Sequence, residues 1–466
     1  MAGQPNSEAW REWRPARLIP TSGIKGVDDQ ETRATSALLS VMMAVPEFAR
    51  ALLKKIDAPA GNVQTFLEIP IKSDLGIGHR PDGAIVVTWG SKTWTAAVEV
   101  KTGLRDLDPH QIESYLDLAK EQGFQCVLSI SNHMTSHLDP YPIAIDRKKA
   151  RTVALHHWSW VEVLTEAILQ KEFRGVSDKD QAWILGELIA YLEHPQSGAM
   201  EFQDMGSEWV SVRDGARERT LKTSDENVKM VVTRWDQFIQ YLCLHLGRDL
   251  GLSVKQIFSK KGDPASRRQQ LVSQLVEIGH LDGTFRIPRA AGDVSILADL
   301  RGRIVTLSMD VSAPTDRGSP ARLNWLIRQL DAAPPNVRVD VIYKGGRSDG
   351  DTLSNLRENP KKLIVDKSKE IRSFVVSLSG EMGMKRGGIK GSFIGEASDH
   401  LLRFYRDIVQ TIRPWSAAPA KLPSSREKPD ATVQPENVVE TVARDQSELP
   451  EAPMATPSLP PATPAT

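Results

Sequence analysis

Arg80-Pro81-Asp82-Gly83-Ala84-Ile85-Val86-Val87-Thr88-Trp89, then Gly90-Ser91, then Lys92-Thr93-Trp94-Thr95-Ala96-Ala97-Val98-Glu99-Val100-Lys101 is the stretch that decides the fold. Both flanking runs are rich in β-branched and aromatic residues, which favour strands. Gly90 first in a two-residue loop suits a type II′ hairpin. That loop sets the register, and the register places Asp82 directly across from Glu99. Opposite residues have Cβ atoms roughly 4.5–5.5 Å apart. Two carboxylates that close repel unless a cation lies between them. Lys101 is two residues beyond Glu99 and shares its face of the strand.

This donor set suits a hard divalent cation. Mg²⁺ takes oxygen ligands, often one or two carboxylates, and keeps several waters. Asp82, Glu99 and the Val100 carbonyl are the expected ligands. Lys101 is expected to orient or deprotonate an attacking water and to stabilise charge on a phosphate.

Pro81-Asp82 followed by Glu99-Val100-Lys101 resembles the PD-(D/E)XK nuclease superfamily, with no departure from its core signature. Two flanking elements extend the resemblance. The run from Gln30 to Leu39 opens a helix, and the family often takes a further metal-site acid from its first helix; Glu31 is the candidate. Gln111-Ile112-Glu113-Ser114-Tyr115 looks like the Gln-x-x-x-Tyr helix of the RecB-like branch. Gln111 and Tyr115 share one helical face and are expected to reach substrate or brace Lys101. The run from Phe124 to Ile130 reads as a buried strand. The likeness covers roughly residues 25–170. It implies a Mg²⁺- or Mn²⁺-dependent nuclease that cuts nucleic acid, with DNA taken ahead of RNA, in defence, restriction or repair. The alternatives are a catalytically silent or partner-gated nucleic-acid-binding module and an RNA-directed nuclease.

Composition bounds the rest. The chain has 466 residues, room for two or three domains. Its 59 basic and 59 acidic residues cancel, which argues against avid non-specific nucleic-acid binding and leaves room for a local groove. Two cysteines, Cys126 and Cys243, exclude a disulfide framework and a zinc cluster. A reducing cytoplasm is the expected compartment, and no apolar run is long enough for a membrane span.

The expected fold is α/β. Residues 1–200 form a restriction-endonuclease-like core, a mixed sheet flanked by helices. A linker at 201–226 leads to a second α/β domain at 227–415, which offers a surface for a partner protein or a homodimer. A disordered Pro/Ala-rich tail spans 416–466. Within the core, helix is expected over 28–56 with a break near Pro46, and strand over Val63–Ile71 carrying Glu68. Ser159 and Glu162 fit a capping box. His79 and His110 flank motif residues and are minor candidates; His156 and His157 read as structural.

The second half echoes the first. Asp293 and Asp310 have the spacing of Asp82 and Glu99, and a hairpin at Arg301-Gly302 would pair them. A helix at 321–330 and a strand at 337–343 follow. Ser312 takes the place of the lysine, so no catalysis is expected there. The domain thus reads as a candidate degenerate copy, with Arg322 and Arg328 available to phosphates. Lys385-Arg386-Gly387-Gly388-Ile389-Lys390-Gly391 reads as a solvated turn.

Overall fold

The structure, a computed structural model, describes residues 14–15, 28–69, 80–146, 148–258, 263–364, 369–388 and 390–416. The tail from 417 onward and His79 lie outside the described residues.

The chain begins with a two-residue strand β1 (Arg14–Pro15). Helix α1 (Asp28–Ala44) and helix α2 (Pro46–Leu53) meet at Pro46, where the ring cannot continue the hydrogen-bond ladder. Strands β2 (Asn62–Leu67), β3 (Gly83–Trp89) and β4 (Lys92–Val100) follow as an antiparallel meander. Helix α3 (Pro109–Gln122) crosses to β5 (Cys126–Ser131), which runs parallel to β4. A further parallel strand, β6 (Ala154–Ser159), completes a sheet in the order β1 to β6. All six residues of β5 are buried, as a central parallel strand covered on both faces requires. Helices α4 (Trp160–Ile168) and α5 (Lys179–Glu193) pack with α1 and α2 on one face, against Ile85, Val98, Val100 and Leu128. Helix α3 covers the other face at Val127.

The predicted capping box is present: Ser159 Oγ accepts from Glu162 N–H at 3.1 Å, and Glu162 Oε2 accepts from Ser159 N–H at 3.0 Å. Strand β2 ends earlier than expected. Glu68 lies just beyond it at φ 49°, so it is no ordinary strand-face residue.

The second half is built on helix α6 (Trp209–Glu218), the long helix α7 (Glu226–Leu250) and strand β7 (Lys255–Gln256). Helix α8 (Pro264–Ile278) precedes strands β8 (His280–Arg286), β9 (Val294–Asp299) and β10 (Ile304–Ser312). Helix α9 (Ser319–Gln329), strands β11 (Arg338–Tyr343) and β12 (Gly346–Thr352), helix α10 (Leu353–Glu358), strand β13 (Ile371–Glu381) and helix α11 (Phe393–Phe404) complete it. The sheet order is β12-β11-β13-β10-β9-β8-β7, with every neighbouring pair antiparallel. The protein is therefore mixed α/β, with two sheets flanked by helices.

Four expectations for this half need correction. The stretch read as a linker contains α6, whose Trp209 is fully buried and packs 4.6 Å from the Phe393 ring. The β9–β10 register pairs Val294 with Met309, as expected, but the strand after α9 does not join β10. Strand β13 lies between β10 and β11, whereas β5 lies directly beside β4. The likeness between the halves ends at the helix. Arg322 is buried and donates to the carbonyls of Arg317, Ile371 and Thr315, so it ties loops together and is not available to phosphate. The glycine-rich turn also docks: Arg386 pairs with Asp204 at 3.0 Å and Gly388 N–H bonds to Gln203 O.

The halves are not separately packed. Met134 and Leu138, from the loop after β5, and Val161 on α4 belong to the core of the second half. The described residues up to 416 accordingly belong to one compact unit. Among the described residues no single helix is long and apolar enough to cross a membrane.

Candidate active site

The β3–β4 hairpin fixes the site. Trp89 pairs with Lys92 and Gly83 with Val98, so the next position outward sets Asp82 against Glu99. Gly90 has φ 56°, a value a first loop residue of a II′ turn requires and glycine adopts freely. Gly83 has a different reason to be glycine. A Cβ there would sit 2.6 Å from Leu39 Cδ1 and 2.7 Å from Phe66 O, so α1 can approach the hairpin only because Gly83 has no side chain.

Asp82 turns its carboxylate along the ladder: Oδ2 accepts the Val100 N–H at 2.7 Å. Glu99 is 1% exposed; its Oε1 accepts from Lys101 Nζ at 2.6 Å. Its Oε2 is buried without a hydrogen-bond partner. A buried carboxylate oxygen left unsatisfied is costly unless something else completes it. Burial and then the neighbouring Glu99 raise Asp82 to about 8. Burial also raises Glu99, against the opposing pull of Lys101. Lys101 is raised in turn: burial alone would lower it, but Glu99, Asp82 and Glu31 hold it charged. The cluster thus holds two acids that resist joint ionisation and one fixed cation.

Asp82 takes its proton more readily in the folded chain than unfolded, so metal-free stability falls as pH rises from about 4 through about 8. An amide in place of this carboxylate would keep an acceptor for the Val100 N–H without the charge. Asp82→Asn is therefore expected to raise metal-free stability at pH 8 by about 2 kcal/mol, read by urea denaturation in EDTA. A cation bound between the two acids would close the gap by stabilising the wild type. A variant less stable than wild type would show that the acid pair is not strained.

The remaining predicted residues are distributed as follows. Glu31 reaches the site from α1: its Oε2 lies 3.8 Å from Lys101 Nζ and 3.1 Å from Arg105 Nη1. It holds the two cations in place. Gln111 donates to the Tyr115 hydroxyl at 3.0 Å, and that hydroxyl donates to Arg80 O at 3.1 Å. The pair thus anchors the segment that delivers Asp82. Burial and then Glu99 push the Tyr115 phenol up, which keeps it a donor. Glu68 N–H donates to Asp82 O at 2.9 Å, while the Arg80 guanidinium folds back onto Glu68. His110 is exposed and uses its N–H to complete the Asp108 cap of α3.

Sequence reasoning missed the polar row beside Glu99. Parallel pairing sets Ser129 next to Glu99 and His157 next to Ser129. Tyr141 donates to Ser129 Oγ at 2.9 Å, Ser129 Oγ meets His157 Nδ1 at 2.8 Å, and His157 Nε2 meets His133 O at 2.9 Å. A carbonyl can only accept, so Nε2 carries the proton and Nδ1 accepts. Burial lowers His157 to about 4. A histidine held neutral stabilises the fold fully above its unfolded value near 6.5, and that stabilisation is lost as pH falls through about 4. The expected loss is about 3 kcal/mol. Urea midpoints from pH 7 to 4 should fall more steeply for wild type than for His157→Gln. Parallel profiles would return His157 to an ordinary pKa. Arg105 was also missed; its only signal in sequence is a basic residue shortly after Lys101.

Among the described residues no group of three or more His, Cys, Asp or Glu side chains is arranged to hold a metal ion. A cation here would rest on two carboxylates with backbone and water oxygens, a pattern Mg²⁺ accepts. The orphaned Glu99 Oε2 and the raised Asp82 fit that group. No family model matches the chain, and no curated protein matches it.

Proposed function

We propose that the protein is a metal-dependent nuclease that hydrolyses phosphodiester bonds, on DNA ahead of RNA, with a restriction-endonuclease-like core. One observation carries the reading: Asp82 and Glu99, both held above the ordinary carboxylate range, converge beside Lys101 while one buried Glu99 oxygen has no partner. A structural ion pair needs one acid; the second acid only adds repulsion.

In this reading Asp82, Glu99 and the Val100 carbonyl hold Mg²⁺ or Mn²⁺. The cation would acidify a water and neutralise charge on the phosphoryl oxygens. Lys101 stays charged, so it orients the water and stabilises charge on the phosphate in preference to acting as the base. Glu31 keeps Lys101 and Arg105 from folding away. Gln111 and Tyr115 hold Arg80 and Asp82 in line. The test is incubation of the full chain with Mg²⁺ or Mn²⁺ and linear, circular or single-stranded DNA, or RNA. Metal-dependent cutting supports the reading, and the panel separates DNA from RNA and ends from interiors. Absence of cutting on every substrate rejects it for the chain acting alone.

A further inference from the structure

A cleft of about 590 Å³ lies between α2, α4 and α7, away from Asp82 and Glu99. Lys54, Lys55, Arg174 and Lys255 line it, with Glu166 as the one acid among the lining residues. Glu166 is already engaged. Its Oε2 lies 3.0 Å from Lys55 Nζ, and its Oε1 accepts from Arg174. Burial would raise it, but these two cations pull it below its ordinary value. Lys54 and Lys255 have no acid within ion-pair distance among the described residues.

Helix ends do not cancel the surplus. The ends of the helical runs Lys54–Ile56, Leu169–Arg174 and Glu226–Leu250 adjoin the cleft and contribute about half a negative charge each. Four cations less Glu166 and those ends leave a surplus of about one to two positive charges. Converging like charges repel, and an enclosing low-dielectric wall raises the local potential. Thr165 also lines the cleft, with its hydroxyl buried and without a hydrogen-bond partner. Leu169, Leu244, Leu252 and Val254 give the cleft an apolar wall as well.

We propose that this cleft binds a phosphorylated small molecule of nucleotide size, its phosphates on Lys54 and Lys255 and its organic part on the apolar wall. The volume falls in the range of about 300–1,000 Å³ usual for such ligands. The cleft is bounded by helices of both halves, so a ligand there would bridge them. Binding in this cleft would not require nuclease activity at Asp82 and Glu99.

The test is calorimetric titration of the full chain with pyrophosphate, AMP and ATP in EDTA, which removes any contribution from a metal at Asp82. Wild type and Lys101→Ala should bind a nucleotide alike. Lys54→Ala/Lys255→Ala, which changes two exposed side chains, should weaken binding at least tenfold with an unchanged melting temperature. Pyrophosphate binding as tight as the nucleotides would reject the organic half of the proposal. No nucleotide binding, or equal binding by the double variant, would overturn it. Loss of binding in Lys101→Ala would place the ligand at the other site and overturn it as well.

Discussion

On the proposed nuclease reading, replacing Lys101 with alanine is expected to lower metal-dependent cleavage by about 10³-fold, the scale seen when one preorganised charge-stabilising donor is removed. The physical basis is the local field. Lys101 is the cation that contacts Glu99, at 2.6 Å, in a site shielded from water. Its stem emerges where β4 ends, and its backbone is locked: Lys101 N–H donates to Ile130 O at 2.8 Å, and Trp160 Nε1 donates to its carbonyl at 3.0 Å. Little reorganisation is then needed as charge builds on a phosphate. Lys101→Met, which keeps the stem, separates charge from packing and should lose as much rate. Lys101→Arg should recover little, since a planar fork does not occupy the place of a compact ammonium. The measurement is a single-turnover rate with excess enzyme and Mg²⁺, alongside melting curves. Retention of rate within tenfold in both Lys101→Ala and Lys101→Met would remove this residue from the chemistry.

Asp236→Ala is expected to cost about 3–5 kcal/mol of stability, the scale of breaking a buried charged hydrogen-bond centre. Asp236 lies on α7 and is 1% exposed. Its Oδ2 accepts from His137 N–H at 2.8 Å and Leu138 N–H at 3.3 Å, and its Oδ1 accepts from Gln256 Nε2 at 2.7 Å. These donors come from the loop after β5 and from β7, so one carboxylate joins the half that carries the candidate site to the half built on α7. Alanine would remove the acceptor from three donors, the buried Leu138 N–H and the partly buried His137 N–H and Gln256 Nε2. Nearby Asp139 adds to the tie through Arg268 at 2.6 Å, but that pair is partly exposed and contributes less. A fall in the urea midpoint by the stated amount, with Asp236→Asn intermediate, is the expected result. A change under about 1 kcal/mol, the size of an ordinary point substitution, would show that packing of Met134 and Leu138 holds the halves together unaided.

The hairpin and its register were legible in the sequence because turn chemistry and a two-residue side-chain period are local properties. The break between α1 and α2 at Pro46, the Ser159–Glu162 cap and the buried strand β5 were legible for the same reason. So was the meeting of Asp82, Glu99 and Lys101, since register alone places them together. Other features rest on contacts between segments far apart in the chain. Ser129 and His157 join the row beside Glu99 only through parallel pairing across α3. Arg322 resembled a free cation, but the distant Ile371 carbonyl, with those of Thr315 and Arg317 nearby, takes up its guanidinium. Strand β13 enters between β10 and β11 from about thirty residues downstream, which no local pattern specifies. Asp236 and the cleft at Lys54 and Lys255 exist only because α7 packs against the first half. Local conformational preference wrote the site's acids and lysine into one hairpin; burial and long-range packing, which depend on where every other element lies, decided what surrounds them.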